Sequence, residues 1–325
     1  MPRPATRTRP PTAGRRPARL SSRVRPHTRG RSVHRSYPPD YHVHRGLSPS
    51  DRPLRYCPAV GVHIGQRKLN VSFFRALSRH PLPVHAHFDH SLVITYALPP
   101  EQVQPLLPAG LDLEIYRSPY GERHALVAVA LVSLRHLRLP GLPRMMGLRT
   151  IMTGYRVFAR YQTPGGRILR GLRHLRNDAD SALLTRTGNV FTDYDHQRIQ
   201  AWTEEQDDAV RFVAHSADGT ADVDVVANLK ETPLWDTVFA NPDDARRYAG
   251  PRGYTFAPGR DGGIVVVRTY RSNWEPRPVA VDVRRVSYFQ HGLFSGTKPI
   301  LASAFYMADV NYGWHRGRLR PARAG

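Results

Sequence analysis

The clearest pattern along the chain is alternation. Phe212, Ala214 and Ser216 alternate with their neighbours up to Asp218-Gly219. Ala221, Val223, Val225, Ala227 and Leu229 then alternate with Asp222, Asp224, Val226 and Asn228. Two period-two runs joined across Asp-Gly predict a β-hairpin with one wet face. Strands are also predicted at His87–Tyr96, Leu111–Tyr116, Ala125–Leu139, Ile264–Tyr270, Val279–Tyr288 and Ile300–Tyr306. Tyr155–Gln162 and Ile168–Leu175 flank Pro164-Gly165-Gly166 and read as a second hairpin. Helical periodicity is scarce. It is confined to Pro99–Leu107, where proline sits in the first turn and Pro108-Ala109-Gly110 follows, and to Asp178–Leu184, Pro233–Phe239 and Pro242–Tyr248. Many closely spaced strands with a few short helices predict an antiparallel barrel or sandwich of about 230 residues.

Composition narrows the classes. A single cysteine, Cys57, leaves no disulfide framework and no cysteine-based zinc site, and fits a cytoplasmic location. The longest apolar run, Ala125–Leu134, is about half a membrane span and ends at Arg135. The chain of 325 residues carries +22, and only three of its 48 basic residues are lysine: Lys68, Lys230 and Lys298. The charge is uneven. Residues 1–55 hold 14 arginines against Asp40 and Asp51, and residues 315–325 add four arginines and no acid. The body between is only mildly basic, so the total charge does not point to a nucleic-acid partner.

The domain expectation is an Arg/Pro-rich, disordered extension over 1–83, a folded domain over 84–314 and a basic, unfolded tail over 315–325. The extension has no hydrophobic period and cannot bury enough apolar surface to offset its ordering entropy. It reads as a basic arm, as a transit peptide, or as upstream sequence preceding a later non-ATG start such as Val71. On the last reading residues 1–70 are not translated.

The sequence lacks Gly-x-Ser-x-Gly, Gly-x-x-x-x-Gly-Lys and a strand-linked Gly-x-Gly-x-x-Gly. His85, His87 and Asp89 would share one strand face, a weak metal-ligand pattern in a His-rich stretch; no metal or cofactor is expected. The hairpin at 155–175 has unusual charge for a core sheet: Arg156, Arg160, Arg170, Arg173, His174 and Arg176. An arginine projecting into a barrel interior suits a carboxylate or enolate, because its planar fork matches that geometry.

Several segments together resemble a known family. These are Leu92–Leu111, Tyr155-Arg156-Val157, Gly171–Tyr194 ending Gly188-Asn189-Val190-Phe191-Thr192-Asp193-Tyr194, Arg271-Ser272-Asn273-Trp274-Glu275-Pro276, and Ala304-Phe305-Tyr306 with Val310 and Trp314. The chain over about 85–315 is similar to the YqjF-like proteins, a bacterial family of unknown function in the acetoacetate decarboxylase-like superfamily. The resemblance implies a mainly β, single acetoacetate decarboxylase-like antiparallel β-barrel domain with small helices at its mouth. The decarboxylase relatives use a lysine Schiff base whose pKa a second lysine lowers. The comparable stretch here, Gly188–Gln197, offers Tyr194, Asp195 and His196 but no lysine. Arginine stays protonated and cannot form the imine.

The expected function is therefore binding of a small anionic or carbonyl compound in a barrel pocket, without Schiff-base decarboxylation. Arg156, Arg173, Asn189 and Trp274 are the candidate ligand-binding residues. Tyr194 and His196 are the candidate proton carriers. A small molecule is the expected partner, with no nucleic acid and no membrane span. The rivals are a non-catalytic scaffold or binding module whose barrel is filled by aromatics such as Phe158, Phe191 and Trp274, and nucleic-acid binding through the basic N-terminal segment.

Overall fold

The computed structural model describes residues 79–322 except 232, 234–236 and 260–261. All of these belong to the unit Ile64–Gly325. The expectations for residues 1–78, including the Val71 start, lie outside the described residues.

The strands are, in chain order, β1 (Val84–Leu98), β2 (Asp112–Leu113), β3 (Ile115–Arg117), β4 (Arg123–Arg138), β5 (Leu148–Gln162), β6 (Ile168–Ala179), β7 (His196–Gln206), β8 (Ala209–Ser216), β9 (Val223–Asn228), β10 (Tyr254–Pro258), β11 (Ile264–Ser272), β12 (Arg277–Pro278), β13 (Ala280–Val286), β14 (Ile300–Trp314) and β15 (Arg318–Arg320). Three short α-helices interrupt them among the described residues: α1 (Pro100–Val103), α2 (Ala182–Phe191) and α3 (Pro242–Arg246).

Pairing runs in a closed circuit. β5 pairs with β6, β6 with β10, β10 with β11, β11 with β14, β14 with β1, β1 with β4, and β4 again with β5. Only the β6–β10 contact in that circuit is parallel. Most of its long strands are flanked on both sides, while the β6–β10 and β11–β14 ladders span only three and four residue pairs. β6 also runs parallel to β7 over Asn177–Ala179, which attaches an antiparallel meander of β7, β8, β9 and β13.

The long strands read as near-continuous apolar runs because both of their faces are covered. One face carries Leu92, Ile94, Val127, Val129, Tyr155 and Val157, and packs on Phe212, Val223 and Val225 of the meander. The other carries Phe88, Ala128, Ala130, Phe158, Leu172 and Tyr312, with Phe239, Ala245 and Tyr248 from the segment around α3.

Three sequence expectations change here. Asp178–Leu184 is not a helix. Through Ala179 the chain is strand, and α2 starts at Ala182, where the Ser181 hydroxyl accepts from the Leu184 amide at 3.3 Å. In Pro233–Phe239 no helix forms among the described residues. In the C-terminal segment, expected to be unfolded, Arg318–Arg320 instead form β15, which pairs with Ile264–Val266.

Candidate functional site

Arg156 decides where to look. A register shift between Tyr155 and Arg156 places Tyr155 opposite Arg176 and Arg156 opposite His174. Cross-strand partners share a face, so Arg156 and His174 lie with Ala128 and Phe158, away from the meander. Gly154, two residues earlier on β5, makes the room. A Cβ there would come within 2.9 Å of Nε and Nη2 of Arg156 and of Asn177 Oδ1. The guanidinium therefore folds back over a glycine.

Protein surrounds that guanidinium, and burial lowers its pKa, opposed by Tyr312 and Tyr194. No carboxylate forms an ion pair with it among the described residues, and its Nε lacks a hydrogen-bond partner. Some arginines nearer the surface are paired instead: Arg135 with Asp89, Arg170 with Glu114, and Arg211 with Asp224.

A polar chain runs beside Arg156. His174 Nδ1 lies 3.0 Å from Asn177 Oδ1, and Asn177 Nδ2 donates to the Tyr194 carbonyl at 3.1 Å. With the Asn177 oxygen as acceptor, His174 carries its proton on Nδ1. Its buried Nε2 is then a lone pair without a partner. The His174 ring stacks on Tyr194 at 4.3 Å, and the Tyr194 hydroxyl bonds Thr255 Oγ1 at 2.9 Å. Burial pushes Tyr194 up to about 12 and holds His174 well below its ordinary range, with Arg156 adding to the latter. Both are neutral near pH 7. On the far side Tyr312 bonds Thr269 and stacks on Phe88 at 5.0 Å.

The other predicted residues divide. Arg173 pairs opposite Val157, so it lies on the face opposite to Arg156, where Asp193 and Asp195 supply negative charge. Asn189 spends both ends of its amide on His196: Oδ1 accepts from the His196 amide at 2.8 Å and Nδ2 donates to its carbonyl at 2.7 Å. It ties α2 to β7. His196 is buried against Gly188 of α2, and burial lowers it to about 4. Its ring lies 6.2 Å from Tyr194. Trp274 lies under the Arg271 guanidinium at 4.4 Å and against Gly250, where a Cβ would meet its ring at 2.5 Å. Arg271 in turn affects Tyr312, which links this end to the Arg156 neighbourhood.

The sequence reading missed His174 and Asn177 as members of this group. Their signal was present as a histidine and an asparagine inside an arginine-rich core strand, but the register shift that turns His174 toward Arg156 has no sequence signature. Among the described residues no group of three or more His, Cys, Asp or Glu is arranged to hold a metal. Asp89 is engaged by Arg135 at 2.7 Å, and His87 lies 2.9 Å from Asp309. No helix among the described residues is long and apolar enough to cross a membrane.

Residues 85–309 match DUF2071, a family described as an uncharacterized conserved protein. The chain belongs to this family. That agrees with the YqjF-like resemblance in the sequence. No curated protein matches the chain. Among solved structures it is similar to acetoacetate decarboxylase from Legionella pneumophila, at 14% identity over 74% of this chain and 87% of that one, with a TM-score of 0.46. It is also similar to MppR, an enduracididine biosynthesis enzyme complexed with pyruvate, at 12% identity over 75% and 92%, TM-score 0.49. A second acetoacetate decarboxylase structure matches at 11% identity over 75% and 91%, TM-score 0.50. The last likeness places this DUF2071 chain in the acetoacetate decarboxylase-like fold. In this DUF2071 protein the described lysines lie outside: Lys298 is exposed, and Lys230 is exposed and paired with Asp208. Lys68 lies outside the described residues.

Proposed function

We propose that the closed strand circuit is a barrel that holds a small anion, a carboxylate or enolate, against Arg156. The observation that carries this reading is the uncompensated cation. Burying a guanidinium without a carboxylate costs free energy that the fold does not recover internally, and a bound anion recovers it. A second observation supports it. Arg156 also keeps some accessible surface, which a ligand needs to reach it. The anion would meet Arg156 through the planar fork, with the Tyr194 and Tyr312 side chains on either side. His174 Nε2 is a neutral acceptor beside it, and Tyr194 a neutral hydroxyl; these two are the proton carriers of this reading. His196 stands behind Tyr194, Asn189 fixes the turn that presents Tyr194, and Trp274 with Arg271 flanks the end nearer Tyr312. Arg173 acts from the opposite face. With no interior lysine among the described residues, the site supports polarisation or proton transfer on the ligand rather than imine chemistry.

One observation favours the filled-barrel alternative: Phe158, Phe88, Tyr248 and Tyr312 crowd the same face. Calorimetric titration of the full chain and of Arg156→Met with small 2-oxo and 3-oxo acids separates the two. Binding to the native chain that Arg156→Met abolishes supports the anion site, and no binding to either supports the filled barrel.

A further inference from the structure

A second basic feature lies in the folded domain, apart from Arg156. A surface groove of about 1040 Å³ runs between the β5–β6 turn, β11 and the C-terminal strand. Arg79, Arg167, Arg268, Arg316, Arg318 and Arg320 line it, and no acidic residue among the described residues does. Arg167, Arg268, Arg316, Arg318 and Arg320 are all exposed, and none forms an ion pair among the described residues. Some exposed arginines elsewhere are paired, as Arg247 is with Asp244, Arg284 with Asp282 and Arg285 with Asp222. Five unpaired cations along one groove repel each other, and its walls focus their field outward.

The backbone orders two of them. β15 pairs with β11 so that Arg318 faces Val266, Leu319 faces Val265 and Arg320 faces Ile264. Leu319 packs inward on Ala257, Val265 and Val267. Strand alternation then sets Arg318 and Arg320 on the opposite face, about 6.7 Å apart along the chain, and Arg316 precedes the strand. The strand is anchored at its start, where the Gly317 amide donates to the His80 carbonyl at 2.8 Å. The floor is different in kind, formed by Leu169, Tyr254 and Val266.

We propose that this groove binds single-stranded nucleic acid. A linear array of guanidinium groups tracks a phosphate backbone, and an apolar floor with an aromatic ring accepts base faces without reading sequence.

The test is fluorescence anisotropy with a labelled oligothymidylate of about 15 nucleotides at about 0.15 M salt. It uses the full chain, so the basic N-terminal segment is constant throughout. One variant carries Arg316→Ser, Arg318→Ser and Arg320→Ser; a second carries Arg268→Ser alone, which leaves β15 intact. A control removes equal charge from paired arginines, Arg247→Ser, Arg284→Ser and Arg285→Ser. The groove triple is expected to weaken binding about tenfold or more and to reduce the slope of log affinity against log salt by about 2, at roughly 0.7 for each phosphate no longer neutralised. Arg268→Ser is expected to weaken binding about threefold, and the control to change it less than that. Equal weakening by the two triples, unchanged binding in the groove variants, or tighter binding of an oligoglutamate peptide than of the oligonucleotide would overturn the proposal.

Discussion

At the scale of single residues, the site depends on glycines as much as on charged groups. Gly154 gives the Arg156 guanidinium its berth, and Gly188 lets the His196 ring close on α2. A Cβ at Gly188 would lie 2.5 Å from His196 Cδ2, inside any real contact. Gly188→Ala is therefore expected to lower stability by roughly 1–3 kcal/mol, although alanine is the better helix former. Urea unfolding measures this, and a stabilised variant would show that His196 is not held by that contact. Arg156 was legible as a candidate because Tyr155-Arg156-Val157 resembles an arginine-bearing strand of the YqjF-like family. Its partners were not. Which face His174 takes follows from one register shift, and periodicity is blind to that.

At the scale of elements, alternation exposed the long strands and the Asp218-Gly219 hairpin. It failed on β7. His196–Gln206 is largely polar, and most of its side chains are exposed or half-buried, so no buried stripe marks it. The start of α2 was misplaced for a physical reason as well. The helical pattern was read from Asp178, yet that residue is a buried carboxylate bonded to Arg176 Nε at 2.8 Å. Ser181 caps the helix instead. Ser181→Ala is expected to cost about 1 kcal/mol, and the helix should fray first at 182–184 in hydrogen exchange. An unchanged unfolding midpoint would remove Ser181 from that role. The acidity of Asp178 reflects the same burial, which pushes it up to about 6 against the pull of Arg176.

At the scale of the whole molecule, the fold class was readable, since many short strands and few helices leave few architectures. The circuit was not, because β6 meeting β10 in parallel is a long-range pairing with no local signal. The clustering of arginines was not legible either, because Arg316, Arg318 and Arg320 of the C-terminal segment meet Arg167 and Arg268 only in the folded chain.

Acid stability tests the interior as a unit. Burial holds His80, His174 and His196 below their ordinary range, His196 at about 4. Each takes up a proton near pH 6.5 when unfolded and not when folded. Their contribution is complete above pH 6.5 and is lost as pH falls toward 4. Asp178 runs the other way, because its folded pKa is raised and the folded state gains a proton near 6. It offsets one histidine. Stability is therefore expected to fall by roughly 1–3 kcal/mol per pH unit between about 6 and 4.5. Urea midpoints across that range measure it, and a flat profile would mean that these histidines protonate in place.

The central claim is that Arg156 is kept uncompensated for an anionic ligand. The most direct measurement is a calorimetric titration of native protein and Arg156→Met with small oxo acids, paired with the unfolding free energy of each without ligand. The account predicts one carboxylate per native chain, none on Arg156→Met, and a ligand-free variant more stable by roughly 1–3 kcal/mol. Equal binding by both proteins, or an Arg156→Met variant that is strongly destabilised while the native chain binds nothing, would contradict it.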